Sequence, residues 1–157
     1  MAIDLVELKS EISFVEVNNK KLRVQTIIHP KGSNRPWLVF LHEGLGCIEM
    51  WKGFPEKLVK ETGLNAIVYE RQGYGGSDHL DLPRPKNYLE IEAMIWLPQL
   101  LKQLNINNPI LIGHSDGGSI ALIYAGAYPC TAVITEAAHI FVEDITIKGI
   151  EEVKANP

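Results

Sequence analysis

The pentapeptide Gly113-His114-Ser115-Asp116-Gly117 constrains this chain more than any other segment. It follows the apolar run Pro109-Ile110-Leu111-Ile112. It precedes Gly118-Ser119-Ile120-Ala121-Leu122-Ile123-Tyr124-Ala125, which reads as helix. A short buried strand, a sharp turn centred on serine and then a helix form the setting that a G-x-S-x-G turn needs. A side chain at either glycine would collide with the neighbouring strand or helix, and the turn holds the serine in a strained backbone conformation. The helix N-terminus behind the serine favours negative charge developing on an attacked substrate. Ser115 is therefore a candidate nucleophile. The alternative is a serine that caps the following helix.

The remaining chain alternates strand and helix. Glu11 to Val17 and Leu22 to Ile28 read as a hairpin around the turn signal Asn18-Asn19-Lys20. Trp37 to Leu41 is a continuous apolar run, as expected of a strand buried on both faces, and a glycine-rich loop, His42 to Cys47, follows it. Met50 to Glu61 has helical spacing with Pro55 in its first turn, and Gly63 ends it. Asn65 to Tyr69 is a further buried strand, followed by the loop Glu70 to Asp78. Tyr88 to Leu104 reads as a long amphipathic helix kinked by Pro98. Ala132 to Thr135 reads as the last strand, and the tail from Phe141 to Pro157 as a loop leading into a short helix. Trp37, Trp51 and Trp96 fit apolar faces and read as core.

This pattern predicts an α/β domain, a mostly parallel sheet with helices on both faces. Sites on such sheets lie at the C-terminal ends of the strands. The loops 42–47 and 70–78, Ser115 and the segment 136–139 all begin at such ends, so chemistry-bearing residues gather on one rim.

Composition narrows the function classes. The 157 residues suffice for one core, and 46% hydrophobic with 22% charged residues is ordinary for a globular protein. A net charge of -4 leaves no basic footprint for nucleic acid. No apolar run approaches membrane-spanning length, and the N-terminal Met1-Ala2-Ile3-Asp4-Leu5-Val6-Glu7 lacks a signal pattern. Cys47 and Cys130 are too few for a disulfide framework and lack an obvious activating partner, so a cytoplasmic location is expected. No metal-ligand spacing is present.

Three motifs carry a family resemblance. They are the elbow Gly-His-Ser-Asp-Gly-Gly at 113–118, Leu41-His42-Glu43-Gly44-Leu45-Gly46 after the third strand, and Tyr69-Glu70-Arg71-Gln72-Gly73-Tyr74-Gly75-Gly76-Ser77-Asp78 after the fourth. The second is similar to a His-Gly oxyanion loop and the third to a D-x-R-G-x-G-x-S loop. Over roughly residues 11–140 the chain resembles the N-terminal half of the α/β-hydrolase superfamily, most of all its small esterase, enol-lactonase and proline iminopeptidase branches. The resemblance implies that residues 1–157 are the N-terminal part of a single α/β-hydrolase domain. That domain would stop before its last two strands and most of its cap, with the catalytic histidine absent. Glu43 departs from the pattern, replacing the usual glycine after His42.

The resemblance also implies site roles. Ser115 is the nucleophile, and the backbone N–H groups of Asp116 and Gly44 form the oxyanion hole. The glycines at 44 and 46 equally suit a plain tight turn. The Asp116 side chain reads as a helix N-terminal charge. Glu136 stands where some members place the triad acid, or is a solvated or ion-paired glutamate. His139, three residues on, reads as a structural or solvated histidine rather than the base. His114 is expected to point away from substrate, and His42 to pack under the oxyanion loop. Arg71, Tyr74 and Asp78 are expected to fix their own loop. The implied activity is hydrolysis of a small-molecule ester, lactone or related acyl bond, with no cofactor, no nucleic acid and no membrane partner. The competing reading is a catalytically inactive hydrolase-like fragment or binding module, with self-association through an exposed sheet edge.

Overall fold

Asn18 and Asn19 both adopt positive φ, 49° and 61°, as a two-residue hairpin turn matched to strand twist requires. They join β1 (Lys9–Val17) to β2 (Lys20–Ile28) in antiparallel register. These elements come from a computed structural model that describes residues 6–142 and 144–155. Residues 1–5 of the acidic N-terminal stretch, and residues 143, 156 and 157 of the tail, lie outside the described residues.

The chain continues through β3 (Leu38–Leu41), α1 (Phe54–Thr62), β4 (Ala66–Tyr69), α2 (Tyr88–Ile91) and α3 (Leu97–Gln103). It then forms β5 (Ile110–His114), α4 (Asp116–Ala127), β6 (Ala132–Glu136) and α5 (Asp144–Ala155). The six strands make one mixed sheet in the order β1-β2-β4-β3-β5-β6. β4, β3, β5 and β6 run parallel, and the hairpin joins antiparallel through β2.

Alternation along the strands divides the core. Val39, Leu41, Ile67, Tyr69 and Leu111 face Ala93, Leu97, Leu100, Ile120 and Tyr124 of the α2–α4 layer. Leu38, Phe40, Ala66, Val68 and Ile112 face Val59, under α1. This is why β3 and β4 read as unbroken apolar runs: both faces of each strand are buried. β6 is an edge strand among the described residues, and its Ile134 is 55% exposed.

Two helices differ from expectation. Met50 to Glu61 is not one helix: a 3-10 turn (Ile48–Trp51) ends at Lys52, whose φ of 53° breaks the run before α1 starts. The break lets Trp51 and Phe54 both meet Phe40 edge-on, with ring centroids 5.1 and 6.0 Å away. The stretch expected as one helix from Tyr88 to Leu104 contains a π-helical turn (Glu92–Trp96) just before Pro98. Proline cannot donate to the carbonyl four residues back. That carbonyl, of Met94, instead accepts a hydrogen bond from the Tyr128 hydroxyl at 3.0 Å.

The tightest packing is at the β5–α4 turn. A Cβ on Gly117 would lie 1.9 Å from the Leu41 carbonyl oxygen, and one on Gly113 would lie 2.2 Å from the Gly117 carbonyl oxygen. Both obstacles are backbone and cannot rotate away. Gly117→Ala is expected to cost about 3 kcal/mol or more, read as a fall in urea midpoint at unchanged slope. An unchanged midpoint would show that β3 and α4 can separate at no cost.

Candidate active site

Ser115 is held at φ 52° and ψ -117°, a conformation that non-glycine residues rarely adopt. Its backbone N–H donates to the Glu136 carbonyl at 2.8 Å, and its own carbonyl accepts from Ser119 N–H at 3.1 Å. The first bond ties the turn to β6 and the second begins α4. Its hydroxyl makes no capping bond to α4. Instead Ser115 Oγ lies 3.4 Å from His139 Nε2. The helix-cap alternative therefore does not describe what this hydroxyl does.

The four expected loops do meet on one rim. Arg71, 1% exposed, is the bolt between the β4 and β3 loops. Its guanidinium donates to the carbonyls of His42 at 2.6 Å and Glu43 at 2.8 Å. Its backbone N–H donates to His42 Nε2 at 3.1 Å, which fixes that ring nitrogen as an acceptor. The other ring nitrogen, Nδ1, lies 2.6 Å from the Glu43 carbonyl and so is its donor. Asp116 faces this arrangement from α4, accepting from the Tyr88 hydroxyl at 2.8 Å with Arg71 at 3.9 Å. A Cβ on Gly44 would come within 3.2 Å of Asp116 Oδ2, so Gly44 and the residue after Ser115 lie side by side.

Behind the rim, Glu70 is fully buried and fully used. It accepts from Arg23 at 3.0 Å, from Ile48 N–H at 3.0 Å and from Gly76 N–H at 2.7 Å. The loop is thereby fastened to β2, with Ser77 and Asp78 each accepting a backbone N–H from that strand. Cys47, Glu49 and Glu70 bring their donor atoms within 4.8 Å of one another. Arg23 already pairs with both carboxylates there, at 2.7 and 3.0 Å, so the cluster is an ion-pair anchor.

The His114 side chain is 39% exposed and paired on one side. Its Nδ1 lies 3.1 Å from Glu43 Oε2, and the pair borders a cavity of about 220 Å³ with His42, Gly46, Met50 and Trp51. Glu43, the departure from the motif pattern, therefore links the loop after β3 to the elbow. Glu136 is exposed, and its carbonyl is the group that anchors Ser115. Tyr88, Glu92 and Ser119 escaped the sequence reading. A lone hydroxyl or carboxyl in an amphipathic helix carries no mark of its surroundings.

A family model described as alpha/beta hydrolase fold matches residues 36–144. The chain belongs to the alpha/beta hydrolase family. It is 34% identical over 100 residues to the sn-1-specific diacylglycerol lipase ABHD11 of Danio rerio, covering 63% of this chain and 29% of that relative. It is 37% identical over 99 residues to a proline iminopeptidase of Saccharolobus solfataricus, covering 62% of this chain and 31% of the relative. The chain thus aligns with about a third of the length of these curated relatives. The crystal structure of a predicted CIB-like hydrolase from Thermoplasma acidophilum superposes with a TM-score of 0.74 at 20% identity, covering 91% of this chain and 68% of that one. The loops sit at the C-terminal rim of the parallel strands. Among the described residues no helix is long and apolar enough to cross a membrane.

Burial sets the electrostatics beneath the rim. It pushes the His42 imidazole down to about 3, and the neighbouring Arg71 charge adds to that. Burial raises the Glu92 carboxyl to about 7, against the pull of Arg71 and Arg84. Burial and then the bond to Asp116 raise the Tyr88 phenol to about 12.

Two opposite pH effects follow. Below the ordinary histidine value of 6.5 the unfolded chain binds a proton that buried His42 refuses. Stability from this group therefore falls as pH drops from 6.5 toward 3, by up to about 5 kcal/mol. Above 4.5 the unfolded chain releases a proton that buried Glu92 keeps, so stability falls as pH rises toward 7, by up to about 3 kcal/mol. Glu92→Gln is expected to remove the second effect. Urea unfolding at about pH 5 and about pH 8 checks this: the variant should lose less stability across that interval than the native chain.

Proposed function

We propose that the protein is a serine hydrolase acting on an ester, lactone or related acyl bond of a small molecule. The observation that carries the reading is the strained Ser115, whose hydroxyl is presented at the strand rim instead of capping its helix. The two relatives, named as a lipase and an iminopeptidase, support acyl-bond cleavage as the reaction class.

In this scheme Ser115 Oγ attacks the carbonyl carbon, a base takes its proton and later passes it to the leaving group, and the carbonyl π electrons move onto oxygen. The backbone N–H groups of Asp116 and Gly44 stabilise that oxyanion, and the N-terminus of α4 adds favourable potential. Collapse of the tetrahedral intermediate breaks the bond to the leaving group and gives an acyl-enzyme on Ser115. Water then attacks the acyl carbon and releases the acid. No cofactor enters the scheme. Glu136 stands at the end of β6 as the carboxylate for orienting a base, and its carbonyl keeps the elbow in register.

Side chains around Ser115 would tune the site without entering the reaction. The Glu43–His114 pair adjoins the nucleophile turn and borders the 220 Å³ cavity, which gives one wall of a substrate pocket.

Ser115→Ala is expected to lower kcat/KM for a short-chain p-nitrophenyl ester by at least about 1,000-fold. Its melting temperature should stay level or rise, since a strained serine is replaced by a residue of similar size. Turnover by the variant at the native rate would refute the assignment of Ser115.

A further inference from the structure

We propose that the outer edge of β1 pairs with the β1 edge of a second copy of this chain, joining the two sheets across a two-fold axis at Ser13. The inference stands apart from the reading of Ser115.

Among the described residues β1 is an edge strand. Its nine residues pair with β2 in unbroken register, so no bulge twists the edge away. Proteins guard such edges with proline, bulges, inward charges or lysines along the strand. β1 holds neither proline nor glycine, and its one lysine stands at the start of the strand, 3.8 Å from Glu11. Two large apolar side chains lie bare instead, Ile12 at 50% and Phe14 at 57% exposure.

The direction of each backbone group on β1 follows from β2. The N–H groups of Lys21 and Arg23 donate to Asp78 Oδ2 and Ser77 Oγ, and their carbonyls accept from Asp78 N–H and Glu70 N–H. Both residues therefore turn their backbone away from β1. Their opposites across the hairpin, Glu16 and Phe14, turn theirs the other way, out past the edge of the sheet. By alternation Ser10 and Ile12 do the same. The residues with outward backbone groups are thus the ones that carry the bare apolar side chains. Those side chains stand on the α1 face, since Gln25, opposite Ile12, bonds to Glu56 of α1 at 2.8 Å.

A second copy of this edge is its best complement. A two-fold axis perpendicular to the sheet makes the neighbour antiparallel and keeps each side chain on its own face. With Ser13 on the axis, Lys9 falls opposite Val17 and the whole strand is paired. Ile12 then meets Phe14 of the second copy, and Phe14 meets Ile12, in pairs that exchange both backbone hydrogen bonds. Ser10 falls opposite Glu16. Ser10 Oγ accepts from Gln25 Nε2 at 3.1 Å, which leaves its own proton for that carboxylate. No charge lies opposite another. An axis at Glu11 would set two carboxylates face to face, and one at Phe14 would set Ile12 against Glu16. Either would also shorten the overlap.

Ser13 gives the test. It belongs to the set bonded to β2, so Ser13 and its copy form a non-hydrogen-bonded pair with Cα atoms about 4.5 Å apart. That separation suits a disulfide. The experiment is mild oxidation of the Ser13→Cys protein, read on a non-reducing gel, beside light scattering after size exclusion. The native protein, with Cys47 and Cys130 alone, is the oxidation control. It should run at twice the mass of one chain without cross-linking, and Ser13→Cys should cross-link. Glu11→Cys, opposite Val15 in this register, should not. The double variant Ile12→Lys with Phe14→Lys should fall to the mass of one chain while its circular dichroism spectrum stays native.

A native protein of single-chain mass at every concentration would overturn the proposal. So would a dimer that survives both lysine substitutions. If Ile134→Lys dissolved the dimer and the β1 variants did not, the contact would belong to β6. Where the lysine variants fail to fold, the cysteines decide: a Ser13→Cys protein that does not cross-link, or a Glu11→Cys protein that cross-links equally, rules out the axis at Ser13.

Discussion

At Gly117 the chain of α4 passes so close to the end of β3 that only hydrogen fits between them. The whole rim depends on this approach. It sets where α4 begins, and so aims both the α4 N-terminus and the Ser115 hydroxyl. It also brings the Asp116 backbone beside the loop that follows β3. The strain at Ser115 costs on the order of 1–3 kcal/mol. That strain persists because backbone bonds to Glu136 and Ser119 over-determine the turn. A serine in a relaxed turn would be free to bond its own helix. Here it is not.

The second layer is electrostatic and lies under the first. Arg71 is a permanent positive charge shut away from solvent, and its Nη1 and Nη2 each donate to a backbone carbonyl of the β3 loop. The arrangement fastens the loop that carries Gly44 to the β4 loop, which Glu70 in turn fastens to β2 through Arg23. Burial, with the Arg71 charge adding to it, keeps His42 neutral, and a neutral imidazole can accept the Arg71 backbone N–H. Loop geometry at the rim is thus maintained by bonds between loops more than by contacts to anything outside the protein.

What the sequence disclosed and what it hid follow the range of the forces involved. The strands β3, β4 and β5 were legible because burial on both faces leaves a local signature. The elbow was legible because its two glycines answer to backbone contacts that admit no other residue. Lys52 was not, since nothing about a lysine announces a positive φ. The continuous helix expected through it failed for that reason. The placement of His139 was hidden in the same way. It depends on an alanine, Ala137, in a left-handed conformation and on one hydroxyl, Ser119, inside an otherwise apolar and glycine-rich turn. Glu43 could be seen as an oddity in its motif, but its partner His114 could be found only in three dimensions.

The Tyr128 hydroxyl occupies the place of a missing amide, completing the carbonyl that Pro98 abandons at Met94. Tyr128 closes the C-terminal end of α4, whose first residues support the elbow, while Met94 belongs to the π-helical turn that carries Glu92. The two helices are therefore stitched at the end far from the rim as well as near it through Tyr88 and Asp116. Neither can fray alone without exposing a polar group of the other. In the currency of local opening, α2 through α4 should behave as one foldon. Amide protons at the elbow would then exchange together with those around Pro98, some distance away along the helix, and not with those of the hairpin.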